Sequence, residues 1–359
     1  MEIEELNLTV LLNGLDMNYT PLMRELGLKW RDMDGREIDN LLAFFKGKGV
    51  NCLRVRIWFG SSGPSRLPYA LKLAEEAYTL DFKIQPTIFL SDGWADLYKQ
   101  PEPKDWASLS LQSRLNKIKS YISNVVESLT PIMDNCVYFQ VGNEIDYGIC
   151  GFYARDGKKR KNFEWLRKQV WKYESIILTE SFKTIKTFCG KPVALHLGKW
   201  WDLELISSFL SAMDEFKVEY EILCFSFYPS MFGASLNQLE GLRKIAEERG
   251  KLIAIAEYAY PSCPVKGQFW FMSKPSPGYP LTPEGQSLWL KDFLTHCKRL
   301  NVYATFYWSP ELYLMKNQIK KLYVSEEMPL DFGWGPMSLF DEKGYAKPCV
   351  ESLSHGVAD

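Results

Sequence analysis

Histidine is scarce in this chain: only His196, His296 and His355, in segments far apart. A histidine-built metal centre or a Ser-His-Asp triad has little material to work with, so no cofactor is expected. The eight cysteines include no CxxC pair, and Cys52, Cys136 and Cys224 fall in apolar, strand-like runs. They read as reduced core thiols rather than a disulfide framework, which favours the cytoplasm. The opening MEIEELNLTVLL begins with acids and lacks a basic stretch ahead of an apolar one, so it does not read as a secretory signal. A secreted form whose leader has been cut away would begin in the same manner. No run approaches the roughly 18 apolar residues of a membrane span, so no membrane partner is expected. Excess charge is missing as well. With 43 basic and 44 acidic residues the net charge is −1, which argues against a nucleic-acid partner. The dense cluster Lys158-Lys159-Arg160-Lys161 reads as a solvated loop. No GxGxxG turn follows the first strand, which sets aside an open dinucleotide-binding sheet. No low-complexity linker interrupts the chain, so residues 1–359 are read as one catalytic domain.

What is present is a regular alternation. Short β-branched runs occur near Thr9–Gly14, Cys52–Trp58, Ile84–Leu90, Cys136–Val141, Val193–Leu197, Ile222–Phe227, Leu252–Ala256 and Val302–Trp308. Longer amphipathic segments separate them. In Leu111–Leu129, for example, Leu115, Ile118, Ile122, Val125 and Leu129 recur at three- and four-residue steps. Eight strands each followed by a helix predict an α/β fold, a parallel (β/α)8 TIM barrel. The long connections Gly93–Trp106, Ile145–Lys161, Ala259–Glu284 and Ser309–Ser338 all follow strand C-termini, the face on which such barrels place active sites. Aromatics make up 14% of the residues, with 12 Trp, and flat rings beside polar groups suit a carbohydrate partner.

Two acids end otherwise apolar strands: Glu144 closes CVYFQVGNE and Glu257 closes KLIAIAE. A carboxyl at such a position is costly unless something uses it. Strands four and seven lie on opposite sides of an eight-strand ring, so these two carboxyls face each other across the mouth. Glycosidic cleavage needs one carboxyl to protonate the leaving oxygen and another to attack. Asn143 before Glu144 is placed to bond a sugar 2-hydroxyl. In NCLRVRIW, alternation puts Arg54, Arg56 and Trp58 on one face, and an inward arginine calls for an anion such as Glu257. A structural ion pair inside the barrel is the competing role for one of the two arginines. Tyr228, ending SFY, is placed to contact the nucleophile, and Trp308, ending FYW, to floor the sugar site.

Taken in order, NGLDMNYTPLMRELG, NCLRVRIW, SDGWADLYKQP, QVGNEIDYG, AEYAYP, YPLTPEGQ, FYWSPEL and SLFDEKGYAKP resemble family 53 of the glycoside hydrolases, the arabinogalactan endo-β-1,4-galactanases. The resemblance runs nearly end to end. It implies a retaining hydrolase of β-galactan, with Glu144 as acid/base and Glu257 as nucleophile. It also implies Asn143, Arg54, Tyr228 and Trp308 as supports, Asp92 and Trp94 lining the groove, and, in some bacterial members, a structural calcium. The chain departs from the family pattern in several places. Phe89 stands where the family has a histidine, Phe227-Tyr228 replaces paired tyrosines, Met231-Phe232 replaces Trp-His, and Trp308-Ser309-Pro310 replaces Trp-Glu-Pro. Phe89, Met231 and Phe232 are expected to form an apolar wall beside the central subsites. Those losses leave two alternatives: another β-glycosidase on the same barrel, exo-galactosidase or mannanase-like, and a carbohydrate-binding barrel without catalysis.

Overall fold

A computed structural model describes residues 11–61, 63–315 and 333–356. Thr9 and Val10 of the first expected strand, and residues 316–332 of the connection expected after the eighth, lie outside them. Eight strands form the barrel: β1 (Leu12–Asp16), β2 (Cys52–Ile57), β3 (Lys83–Ile88), β4 (Phe139–Val141), β5 (Val193–Leu197), β6 (Ile222–Phe227), β7 (Leu252–Tyr258) and β8 (Ala304–Trp308). Each pairs in parallel with the next, and β8 closes on β1. The fold is the (β/α)8 barrel that the alternation predicts. β1 runs two residues past its expected end because Asp16 pairs with Trp308 across the closing seam.

The helices form where the spacing places them. Leu111–Ser128 starts at Ser110, whose hydroxyl accepts the Ser113 N–H and satisfies one orphan donor of the first turn. Its buried face carries Ile118, Ile122, Val125 and Val126. Truncating one of these, Ile122→Ala for instance, would cost about 2–5 kcal/mol in lost burial and cavity formation.

The inside of the barrel is layered. Cys52, Tyr138, Ala194, Cys224, Ala254 and Phe306 pack together as an apolar layer. Gly14 belongs to this packing, since a Cβ there would lie 2.4 Å from the Phe306 ring. Two residues further along each strand the inward positions turn polar: Asp16 on β1, Arg54 on β2, His196 on β5 and Ser226 on β6. On β7 plain alternation would continue from Ala254 through Ala256 and send Glu257 outward. A register shift prevents this. Phe225 pairs with Ile255, yet Ser226 pairs with Glu257. A break at the same place separates β7 from β8. This bulge inserts one residue and turns Glu257 into the mouth beside the polar layer.

Candidate active site

Arg54 is the hub of the mouth. It is wholly buried, and its Nη1 donates to Asp16 Oδ2 at 2.7 Å and to Glu257 Oε1 at 2.9 Å. Its Nη2 donates to Asn143 Oδ1 at 2.7 Å. Burial raises the Glu257 carboxyl above its ordinary range, while Arg54 beside it, then Arg56 and the Tyr228 hydroxyl, pull it back toward the ionised form. Tyr228 donates to Glu257 Oε2 at 3.1 Å. Its own hydroxyl is pushed well above the usual phenol range by burial and by the Glu257 charge, so it remains a donor. Both Glu257 oxygens are therefore held, one of them by a permanent cation.

Arg56 does something else. Its Nε lies 3.3 Å from Asp16 Oδ1. Its guanidinium carbon sits 5.0 Å from the Tyr19 ring centroid, 5.2 Å from Trp94 and 5.6 Å from Trp308. The charge thus lies behind three rings that face the cleft, a cation–π arrangement inside the barrel. Asp16 serves both arginines, and Asn18 Nδ2 donates to its Oδ1 at 2.7 Å. Two guanidinium groups are matched by two carboxylates, Asp16 and Glu257. A third buried acid, Glu311, is pushed up to about 8 chiefly by desolvation, toward its neutral form.

Glu144 has no such cation. It follows β4 in a left-handed conformation, with φ of 50°, a costly backbone state for a residue with a side chain. Ser226 donates to its Oε1 at 2.5 Å and the Leu97 N–H to its Oε2 at 3.0 Å. Gly198 leaves room for it, since a Cβ there would lie 2.7 Å from the Glu144 carboxyl carbon. Burial and then the Glu257 charge push Glu144 up to about 8, against the two hydrogen bonds that favour the anion. The two glutamates of the mouth thus sit in contrasting surroundings, Glu257 beside a cation that favours its anion and Glu144 in a desolvated site that favours its protonated form.

A cleft of about 490 Å³ opens over both carboxyls, lined also by Tyr19, Trp94, Trp201, Tyr228, Trp308 and Trp334. That size and the aromatic lining suit a saccharide. Of the residues singled out from sequence, Glu144, Glu257, Trp94, Tyr228 and Trp308 come together on its wall. Asn143 lies directly beneath and is fully buried. Arg54 fixes its Oδ1, and its Nδ2 donates to Ala95 O at 3.1 Å, which leaves its second amide hydrogen without a bond among the described residues.

Other expectations need correction. Asp92 is outside the lining. Its Oδ2 accepts the Lys104 N–H at 2.7 Å, fastening the loop after β3, and Asp96 takes the place at the cleft. Trp58 and Phe89 are core residues, with ring centroids 6.2 Å apart, and Phe89 packs 6.0 Å from Trp94. The apolar wall is accordingly smaller. Met231 contributes to it, while Phe232 is 47% exposed and leans on Trp201 outside the lining. Three contributors were not singled out at all: Asp16, His196 and Ser226. Each had a signal, being a polar residue at an inward position near the end of an apolar strand.

These features can be set beside known proteins. A profile described as Glycosyl hydrolase family 53 matches residues 12–353. An uncharacterized protein in the bgaB 5′ region of Niallia circulans is 25% identical over 96% of this chain and 93% of its own length. An endo-beta-1,4-galactanase of Bacillus subtilis is 24% identical over 96% of this chain and 85% of its own. Among solved structures, the GH53 catalytic domain of Ignisphaera aggregans superposes with a TM-score of 0.78 at 22% identity, covering 100% of this chain and 99% of that one. That likeness establishes the barrel. The family follows from the profile's match to almost the whole chain, and it agrees with a mouth that presents two carboxyls in contrasting surroundings: this chain is a member of glycosyl hydrolase family 53.

Proposed function

We propose that this hydrolase cleaves β-1,4-linked galactan, or short β-1,4-galactosides, by double displacement with net retention. The observation that carries the reading is the contrast between Glu257, held by Arg54 at 2.9 Å, and Glu144, pushed up to about 8. In the first step the Glu257 carboxylate attacks the anomeric carbon as the bond to the leaving oxygen breaks, and that oxygen takes the Glu144 proton. In the second, the Glu144 carboxylate removes a proton from water, which attacks the same carbon and releases Glu257. Arg54 and Tyr228 keep Glu257 anionic and oriented, and Trp308 with Trp94 offers apolar faces to the sugar ring. The remaining Asn143 amide hydrogen is assigned to the sugar 2-hydroxyl, where a contact strengthens as positive charge develops on the ring.

The sugar is assigned from the company the chain keeps, including the Bacillus subtilis galactanase named above and one from Cellvibrio japonicus at 26% identity. No cofactor is called for by this chemistry, since both proton transfer and attack are supplied by carboxyls. Among the described residues no three His, Cys, Asp or Glu side chains gather as a metal ligand set. Nor, among those residues, is any helix long and apolar enough to cross a membrane. We assign the protein to the cytoplasm because its eight cysteines are all free thiols and six of them are buried. No nucleic-acid partner is assigned.

A second reading, an exo-acting or mannanase-like β-glycosidase, draws support from Met231, which lines the cleft where the family pattern has a tryptophan. A panel of β-1,4-galactan, galacto-oligosaccharides and mannans, with product sizes resolved over time, separates the two. Internal cuts in galactan, giving a ladder of intermediate sizes at early times, are expected. Release of only monosaccharide, or faster turnover of mannan, would overturn the galactanase reading.

A further inference from the structure

We propose that His196 on β5 and Ser226 on β6 form a hydrogen-bonded relay that positions Glu144 and sets its affinity for the proton it transfers. The inference rests on the role given to Glu144 above. Ser226 Oγ lies 2.5 Å from Glu144 Oε1, and His196 Nε2 lies 3.1 Å from Ser226 Oγ. His196 is wholly buried in the polar layer. On its other side, Nδ1 is 3.0 Å from Gln140 Nε2 and 3.4 Å from the Glu144 backbone nitrogen.

These contacts select one tautomer. Once Glu144 has given up its proton its carboxylate can only accept, so in that state the Ser226 proton points at Glu144 Oε1. The Ser226 oxygen then takes its own bond from His196, which places the imidazole proton on Nε2. Nδ1 is left as an acceptor, and two N–H groups face it, those of Gln140 and Glu144. Asn143 Oδ1, 3.1 Å from Nδ1, accepts from Arg54 and receives no bond from His196 in this tautomer. Burial, and then the Arg54 charge, hold His196 well below the usual imidazole range, so it is neutral throughout the working pH. The direction of the chain is thereby fixed: Glu144 N–H and Gln140 N–H to Nδ1, Nε2–H to Ser226, Ser226 O–H to Glu144.

The consequence for Glu144 is twofold. A short bond from Ser226 marks Oε1 as the better acceptor, hence the carbonyl oxygen when Glu144 is protonated. The transferable proton is then directed to Oε2, whose bond from Leu97 is longer at 3.0 Å. Ser226 also stabilises the anion and limits how far burial can raise the group. Other charged and titratable groups bear on Glu144 as well: Glu257 from β7, Asp96 from the loop after β3, and Tyr228 from β6. The two carboxyls raise it further, so the Ser226 bond, together with the weaker one from the Leu97 N–H, keeps Glu144 able to release its proton. Neither His196 nor Ser226 lines the cleft, which makes both positioning residues.

Removing the relay should move the pH profile as well as the rate. Ser226→Ala should shift the basic limb of kcat/KM upward by about one pH unit, through loss of a bond to the charged form. It should slow galactan cleavage about tenfold, and aryl galactosides with good leaving groups less. Ser226→Thr, which keeps the hydroxyl, should restore the limb. His196→Gln carries an amide N–H near the Nε2 position and should hold the limb near its native place, whereas His196→Leu should behave like Ser226→Ala. Thermal unfolding of each variant identifies any that do not fold. In the native enzyme, ¹⁵N spectra of three histidines should show one neutral at all pH values with Nδ1 bare. A His196 protonated on Nδ1, or Ser226→Ala and Ser226→Thr with the same basic limb, would overturn the relay. Failure of the Glu144 assignment shows separately, as a Glu144→Ala variant equally slow on activated and unactivated substrates.

Discussion

On the β1, β2 and β7 side of the barrel mouth the buried polar groups are charged and matched. Arg54 lies 2.7 Å from Asp16 and 2.9 Å from Glu257, and Arg56 lies 3.3 Å from Asp16. On the β4, β5 and β6 side burial pushes the titratable groups toward their neutral forms. Glu144 is pushed up to about 8, His196 is held down, Asp146 is raised to about 6 and Glu174 is raised well above the carboxylate range. The same residue type, glutamate, thus gets opposite chemistry from its company. A cation within hydrogen-bonding distance favours the ionised form of one, and desolvation without a cation favours the protonated form of the other. The cleft lies across this boundary, so a glycosidic bond placed there would lie between the two carboxyls, as the proposed displacement requires.

The largest effect should come from the charged side. Glu257→Ala is expected to lower turnover of every substrate by a factor on the order of 10⁵ or more, as loss of a covalent nucleophile does elsewhere. Azide should restore part of it, giving a glycosyl azide of inverted configuration by NMR. Products of retained configuration would contradict the assignment. Arg54→Leu should follow closely. It leaves Asp16 and Glu257 buried without their cation, at a cost of about 3–5 kcal/mol in stability. In whatever folds, the acid limb of kcat/KM should move to higher pH, because Glu257 is then ionised less readily. Urea unfolding and a pH series check the two halves of this statement independently.

The neutral side should respond selectively. Glu144→Ala is expected to cost about 10²–10⁴ on galactan, the usual contribution of a general acid. On aryl glycosides whose leaving group needs no proton, the first step should lose far less. In the native enzyme, glycosylation requires Glu144 protonated, so kcat/KM should fall as pH rises through about 8. It should fall at the acid end as Glu257 takes up a proton. These limbs belong to a pair of interacting carboxyls and report the pair. A profile that stays flat to pH 10 would place the working acid elsewhere.

How much of this could be read from the chain depended on how local each contact is. The barrel was legible because strand and helix periodicities are local, and Arg54 because alternation along β2 is local too. Glu257 was found at a strand end, but its inward direction needs the bulge between Ala256 and its neighbours on β6 and β8, which no periodicity announces. Asp92 and Phe89 were misplaced because the fold of the loop after β3 decides whether a side chain there meets the cleft or the core. The sequence Gly-x-Asp near the start gave no hint that Asp16 serves two arginines of the next strand. His196, Ser226 and Glu144 come from three strands, and their shared hydrogen bonds exist only once β4, β5 and β6 are side by side.

The smallest effect concerns a group with no part in the chemistry. Glu174, on the helix Lys172–Cys189, is fully buried, and neither of its carboxyl oxygens has a hydrogen-bond partner. Burial, and then the nearby Asp146, raise it well above its ordinary value. In the unfolded chain the same group ionises near 4.3. Between these values the folded state holds a proton that the unfolded state has released, so stability is fully present below the unfolded value and falls as pH rises toward the folded one. The slope from one such group is at most about 1.4 kcal/mol per pH unit. For a chain of this size that corresponds to a loss of at most about 2 °C in Tm per unit. Glutamine has no proton to lose, so Glu174→Gln should remove this share of the slope. The variant should match the native Tm near pH 4 and exceed it increasingly toward pH 8, with kcat unchanged within about twofold. Glu144, Asp146 and Glu311 add slopes of the same sign, which is why the comparison is between native and variant at each pH. Parallel Tm curves for the two proteins would mean that Glu174 is charged in the fold, with a partner to match it, and the neutral character of this side of the barrel would be broken at that point.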